Sequence, residues 1–207
     1  SRQVGGDYFD WIKIDDEKIA MAIGDVSGKG VGASLLMSNL HAGLHTLVQS
    51  RVEMSAMISR LNELIYENTN YDKFITFFYA EVEIESRHVR YINAGHNPPY
   101  IFHKDGSFET LDEGGLILGM MAGVSYEIGS AQLQPGDMLI TFTDGVTEAK
   151  NLQQEMYEEE NLEALIAQSL DKSVKDFAGL LLNELETFSQ GMPQGDDITM
   201  LGLKVLN

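Results

Sequence analysis

Apolar side chains recur along this chain with two different periods, and the switches between them outline a fold. Ile12, Ile14, Ile19, Met21 and Ile23 alternate with other residues around the turn Asp15-Asp16. This period of two predicts a pair of strands over residues 8–14 and 18–24. Leu36, Leu40, Leu44, Leu47 and Val48 then form a helical stripe, which predicts a helix over residues 31–49. Met54, Met57, Ile58, Leu61, Leu64 and Ile65 predict a second helix directly after it. Strand-like runs return at 74–84, 88–94, 99–103, 126–132 and 137–143, with the turn Ser86-Arg87 and the corner Pro135-Gly136-Asp137 among their breaks. Two more helical stripes follow, one through Leu162, Leu165, Ile166 and Leu170, the other through Phe177, Leu181, Leu185 and Phe188. Glu158-Glu159-Glu160 reads as a solvated helix start, and Ser173 with Asp176 three residues on reads as a capping box. Residues 197–205 read as a closing strand.

The order is strands, two helices, many strands, two helices, strand. Strict strand–helix alternation is absent, which argues against a parallel doubly wound sheet. The fold class expected is α+β: two stacked antiparallel sheets with helix pairs outside would bury every stripe. At 207 residues the chain is expected to be a single domain. It opens Ser1-Arg2-Gln3 without Met or a signal peptide, as a domain of a longer protein would. No run of 18 apolar residues occurs, so no membrane span is expected. There is no cysteine, hence no disulfide framework or thiolate metal site, and a reducing, cytoplasmic compartment fits. The formal net charge of -18 repels nucleic acid and anionic membranes, and neither is expected as a partner. The same field disfavours anionic substrates unless bound metals reverse it locally.

Four aspartates stand out from this acidic background by their position. They occur in Gly5-Gly6-Asp7, Gly24-Asp25-Val26, Thr143-Asp144-Gly145 and Gly195-Asp196-Asp197, each next to a short apolar run. Brought together by folding, they repel unless cations sit between them, and carboxylates clustered at strand ends suit hard divalent metals. Each is unremarkable alone: Asp25 or Ser27 could cap a helix, Asp144-Gly145 is a common turn, and Asp196-Asp197 could be a solvated turn. Gly28, Gly30 and Ala33 also match the dinucleotide fingerprint G-x-G-x-x-A. That fingerprint needs a second parallel strand ending in an acid, whereas here a second helix follows and no strand is expected before Phe74. A dinucleotide-binding enzyme is therefore the weaker reading. His41 and His45, four apart on a helix, could suit zinc, but the Glu of H-E-x-x-H is missing and no third ligand is evident. An ordinary helix pair is expected there. His96, in the turn Asn93-Ala94-Gly95-His96-Asn97-Pro98-Pro99, could act catalytically, but is expected instead to fix that turn by a hydrogen bond.

Five motifs taken in order carry a resemblance: Val4-Gly5-Gly6-Asp7-Tyr8-Phe9-Asp10, Gly24-Asp25-Val26-Ser27-Gly28-Lys29-Gly30, Asn93-Ala94-Gly95-His96-Asn97-Pro98, Phe142-Thr143-Asp144-Gly145-Val146-Thr147-Glu148 and Asp196-Asp197-Ile198-Thr199. The chain resembles, over nearly its whole length, the bacterial SpoIIE-like branch of the metal-dependent protein serine/threonine phosphatases (the PPM, protein phosphatase 2C-like family). The resemblance implies a four-layer α-β-β-α sandwich. It implies two Mg²⁺ or Mn²⁺ ions and allows a third. By the same likeness Asp25 would bridge the ions, Asp144 and Asp196 would hold one, and Asp7 with the Val26 carbonyl would hold the other. Asp197 would support them from just outside. Asp25 and Asp144 would act catalytically through a water shared by the ions. The implied reaction is hydrolysis of phosphoserine or phosphothreonine on a regulatory protein of the anti-sigma-factor-antagonist type, under an upstream sensory or receiver domain, with a homodimer allowed. A phosphatase-like module that binds without hydrolysis is the alternative.

Two departures matter: a histidine of eukaryotic relatives is missing, and so is the strand usual before the first motif. Those relatives carry the histidine two residues after the bridging aspartate, where Ser27 stands here, so the general acid is unassigned. They also grip phosphate with an arginine shortly before the first acid, a part open to Arg2. Only Arg2 and Gln3 precede the Val4 motif closely, so a strand usual before it is expected to be cut.

Overall fold

A computed structural model describes residues 5–69 and 73–206. The elements run β1 (Asp7–Lys13), β2 (Lys18–Val26), α1 (Val31–Gln49), α2 (Met54–Glu67), β3 (Ile75–Glu83), β4 (His88–Ala94), β5 (Tyr100–Phe102), β6 (Phe108–Thr110), β7 (Gly114–Gly115), β8 (Gly129–Gln132), β9 (Met138–Phe142), α3 (Glu158–Ala167), α4 (Val174–Ser189) and β10 (Met200–Lys204). This is a mixed α+β chain with two sheets and four helices among the described residues. It divides into two compact units, Ser1–Pro98 with Leu111–Gln132, and Pro99–Thr110 with Leu133–Asn207.

In the first unit the sheet order is β1-β2-β3-β4-β7, with β8 also paired to β4. The long pairings are antiparallel, as expected; the short β4–β7 contact is parallel. β1 shows why period two matters. Tyr8, Asp10 and Ile12 share one face, and Tyr8 and Ile12 are buried in the core formed with the helices. Phe9 and Trp11 point the other way and are exposed. The stripe Leu36, Leu40, Leu44 and Val48 of α1 and Met57, Ile58, Leu61 and Ile65 of α2 pack against Ala20, Ala22, Phe77 and Tyr79 of the sheet. Burying each of the larger side chains contributes roughly 1.5–3 kcal/mol.

The helix starts are set locally. Glu53 caps α2, its carboxylate accepting from the backbone N–H of Ser55 at 2.8 Å. α1 begins after Gly30 with no side-chain cap, so neither Asp25 nor Ser27 caps it. Asn62, fully buried on α2, accepts from the Gly119 N–H at 2.9 Å and donates to the Met121 carbonyl at 2.9 Å. These bonds fasten the loop between β7 and β8 onto the helix.

In the second unit the order is β10-β9-β5-β6, all antiparallel. Tyr100, Phe102, Met138, Ile140 and Phe142 of the sheet share a core with Leu162 and Ile166 of α3 and Phe177, Leu181 and Leu185 of α4. The acidic start of α3 and the Ser173 cap of α4 are as expected. Glu158, Glu159 and Glu160 fill the first turn of α3, where the helix dipole favours anions. The Ser173 hydroxyl accepts from the Asp176 N–H at 3.1 Å and donates to the Asp176 carboxylate at 2.7 Å.

Four expectations need adjustment. The strand expected over residues 126–132 starts at Gly129. β6 and β7 were not expected; at three and two residues they are too short to show a period. α3 stops at Ala167, before Leu170, because the chain turns through Ser169. β10 starts at Met200 instead of residue 197, which leaves Asp196 and Asp197 in a loop. Among the described residues no helix is long and apolar enough to cross a membrane.

Candidate functional site

The first unit brings two of the four aspartates together. Asp7 opens β1, Asp25 lies one residue from the end of β2, and the antiparallel register sets them directly opposite each other. Residues so paired have Cβ atoms about 4.5–5.5 Å apart, and like charges there are destabilising. A shared cation removes that penalty. The surroundings fit a hard ion. A Cβ on Gly6 would meet the Val26 carbonyl oxygen at 3.1 Å, Asp25 Oδ1 at 3.5 Å and the Gly28 carbonyl oxygen at 3.5 Å. Three oxygens thus face the space beside Gly6, where a side chain would crowd the Val26 carbonyl. Oxygen-only donor sets of this kind suit Mg²⁺ or Mn²⁺.

The loop after β2 is held in place by its neighbours. The Ser27 hydroxyl accepts from the Phe74 N–H at 2.9 Å, and the Ser27 N–H donates to the Phe74 carbonyl at 2.9 Å. Ser27 therefore fixes the loop. Lys73 Nζ donates to the Ser27 carbonyl at 3.4 Å, placing a cation beside the Asp25 turn that sequence reading did not single out. The Ser34 hydroxyl, in the first turn of α1, donates towards the Gly30 carbonyl at 3.2 Å and the Gly5 carbonyl at 3.4 Å. The helix is thereby tied to the entry of β1.

The second unit brings together the other acids. Asp144 follows β9 and Asp196-Asp197 precede β10, its antiparallel neighbour. Buried Thr143 joins the two strand ends: its N–H donates to the Thr199 carbonyl at 3.0 Å, and its hydroxyl accepts from the Thr199 N–H at 3.1 Å. Gly145 lies so close to the Asp197 carbonyl that a Cβ there would overlap it. Within the loop, the Asp197 N–H donates to Asp196 Oδ1 at 2.9 Å, and Gln194 donates to the Asp196 carbonyl at 2.6 Å. Asp196 is exposed and lines, with Gly145, Lys150, Leu182 and Glu186, a cavity of about 830 Å³.

His96 does what its turn predicts. Its N–H donates to Asn93 Oδ1 at 2.8 Å, Asn93 Nδ2 donates back to the His96 carbonyl at 3.0 Å, and its Nδ1 lies 3.0 Å from the Thr76 hydroxyl. Arg2, open to a phosphate-gripping part, lies outside the described residues.

One constellation escaped the sequence reading. His41 and His45, for which no third ligand was evident, both approach Asp10 of β1. The signal was available in the strand period, which puts Asp10 on the same face as buried Tyr8 and Ile12. The Tyr8 hydroxyl donates to the Asp10 carboxylate at 3.0 Å. Burial, and after it the Asp10 charge, pushes the Tyr8 phenol well above its usual range, so it remains a donor.

Residues 15–206 match the family described as Stage II sporulation protein E (SpoIIE). The chain belongs to this family. A relative in it, "Phosphoserine phosphatase RsbU" of Bacillus subtilis (strain 168), is 32% identical over 205 residues, covering 99% of this chain and 60% of the relative. The chain thus spans about three-fifths of that protein's length. Among solved structures, the PP2C phosphatase domain with a regulatory fragment of the cell fate determinant SpoIIE from Bacillus subtilis superposes with a TM-score of 0.83 at 20% identity, covering 98% of this chain and 59% of that one. RsbX in complex with magnesium superposes with a TM-score of 0.72 at 20% identity, covering 97% and 88%. These likenesses establish the PP2C fold for this member of the family.

Proposed function

We propose that this chain is the phosphatase domain of a longer regulatory protein, hydrolysing phosphoserine or phosphothreonine on a protein of the anti-sigma-factor-antagonist type with Mg²⁺ or Mn²⁺. The observation that carries the reading is the cross-strand pairing of Asp7 with Asp25 beside the oxygen-lined space at Gly6. The 32% identity to a protein named phosphoserine phosphatase supports it, as does the shared fold of a magnesium-bound structure.

In this reading Asp7, Asp25, the Val26 carbonyl, Asp144 and Asp196 are the metal ligands, with Asp197 supporting them. Bound divalent ions would supply an activated water and offset charge on the phosphoryl oxygens. The chain's own residues orient and screen. Ser27 and Phe74 keep the Asp25 turn rigid, and Lys73 adds a positive charge beside it. Thr143 holds the Asp144 and Asp196 loops in register. Such cations resolve the electrostatic objection to a -18 chain acting on a phosphoprotein. An upstream sensory or receiver domain and a cytoplasmic setting complete the proposal.

Manganese-dependent hydrolysis of p-nitrophenyl phosphate by the chain is the test. Asp25→Asn and Asp144→Asn should each lower kcat/KM on the order of 10²-fold or more. Activity that survives both substitutions refutes the two-metal reading. Metal binding with no hydrolysis by the unaltered chain points instead to a phosphatase-like binding module.

A further inference from the structure

Asp10, His41 and His45 form a cluster separate from the aspartates assigned above. Asp10 Oδ2 lies 2.6 Å from His45 Nε2 and 3.9 Å from His41 Nε2. The two imidazole rings have centroids 4.4 Å apart, and the three ligand atoms all lie within 4.8 Å of one another. The two histidines are four residues apart on α1, so they project from the same side of the helix. Asp10 comes to them from the helix-facing side of β1.

The donor set decides the class of ion. Two imidazole nitrogens and one carboxylate suit borderline divalent ions such as Zn²⁺, Co²⁺ or Ni²⁺, whereas Mg²⁺ prefers oxygen alone. In a tetrahedral zinc site with bonds near 2.0–2.1 Å, neighbouring ligand atoms stand about 3.3 Å apart. Relative to Asp10, His45 must therefore withdraw by about 0.7 Å and His41 approach by about 0.6 Å, changes within reach of side-chain torsions. The side chains of His41, His45 and Asp10 are 55%, 35% and 23% exposed, so an ion can enter and keep a water in its fourth position. The Tyr8 hydroxyl at 3.0 Å from Asp10 Oδ2 orients the carboxylate, as outer hydrogen bonds do in metal sites.

We propose that Asp10, His41 and His45 bind one borderline divalent ion, of the Zn²⁺ class, that clamps β1 to α1. The clamp would sit on the strand that opens with Asp7 and on the helix that follows the Asp25 turn. Its occupancy would stiffen that part of the first unit without adding to the phosphatase ligands.

The test uses the 207-residue chain freed of metal by chelation, carrying Asp25→Asn and Asp144→Asn so that the hard-ion positions are disabled. Titration calorimetry with ZnCl₂ should show one ion per chain. A hundredfold excess of Zn²⁺ over its Kd should raise Tm by about 5–11 °C. Mg²⁺ at the same concentration should not reproduce this rise. Adding His41→Ala and His45→Ala should abolish both the titration and the shift. Because these side chains are partly exposed, the substitution opens no core cavity, and far-ultraviolet circular dichroism verifies the fold. Asp10→Asn provides a second variant and should weaken binding at least about tenfold, as loss of a charged ligand does. A zinc shift equal in the presence and absence of the two histidines, or no zinc binding at all, overturns the proposal and leaves an Asp10–His45 hydrogen bond only.

Discussion

Gly24→Ala tests whether the backbone path into Asp25 matters as the packing implies. Gly24 lies on β2, with Phe77 of β3 opposite it. A Cβ at this position would sit 2.7 Å from the Thr76 carbonyl oxygen and 3.1 Å from Phe77 Cδ2. The first obstacle is backbone in the middle of a ladder, so it cannot swing aside as a side-chain tip would. Ordinary van der Waals contact requires the strands to part by about 0.7 Å. Overpacking of this kind costs about 1–3 kcal/mol. For a chain of this size that is a fall in Tm of about 2–12 °C. The displacement falls on the residue before the proposed bridging ligand, and misplacements near 1 Å can cost 10²-fold in rate, so kcat/KM should drop at least about tenfold. Differential scanning calorimetry and manganese-dependent hydrolysis of p-nitrophenyl phosphate, with Ala22→Gly as a control on the same strand, measure the two effects. A Gly24→Ala chain with wild-type Tm and a kcat/KM within twofold of wild type would refute the argument.

Two further outcomes follow from the packing of the first unit. Leu44→Ala, at a fully buried point of the α1 stripe, should destabilise the chain by about 2–5 kcal/mol, read as a lower denaturant midpoint; unaltered stability would mean that the helix does not pack as described. Asn62→Ala leaves the buried Gly119 N–H without its acceptor and should cost about 1–3 kcal/mol. Hydrogen exchange should then accelerate in the loop around residues 117–123, and protection equal to wild type would count against the tether.

The elements with the clearest periods were legible in the sequence. The stripes of α1 and α2 and the Ser173 start of α4 depend on interactions within one or two helical turns, so a local reading finds them. β6 and β7 carry no such signal. They exist because partners elsewhere in the chain offer hydrogen bonds, Tyr100–Phe102 to β6 and Asn93–Ala94 to β7. Asn62 illustrates the same limit for polar residues. Its spacing from Ile58 and Ile65 puts it on the apolar side of the helix, but only the loop carrying Gly119 and Met121, closing over it, meets both ends of its amide.

By itself, then, the sequence determined the α+β class, the order of the elements, the candidate carboxylates and, through its ordered motifs, the family. These follow from short-range backbone geometry and from residues whose spacing can be read in one dimension. Only the tertiary structure decided that Asp7 faces Asp25, that the Val26 carbonyl and Asp25 converge beside Gly6, and that Asp10 meets His41 and His45. Each of these depends on strand register or on which strand face meets which helix. Register and facing are chosen by the burial of apolar surface across the whole unit, because slipping one residue would turn Tyr8 and Ile12 out of the core and Asp10 away from the helix.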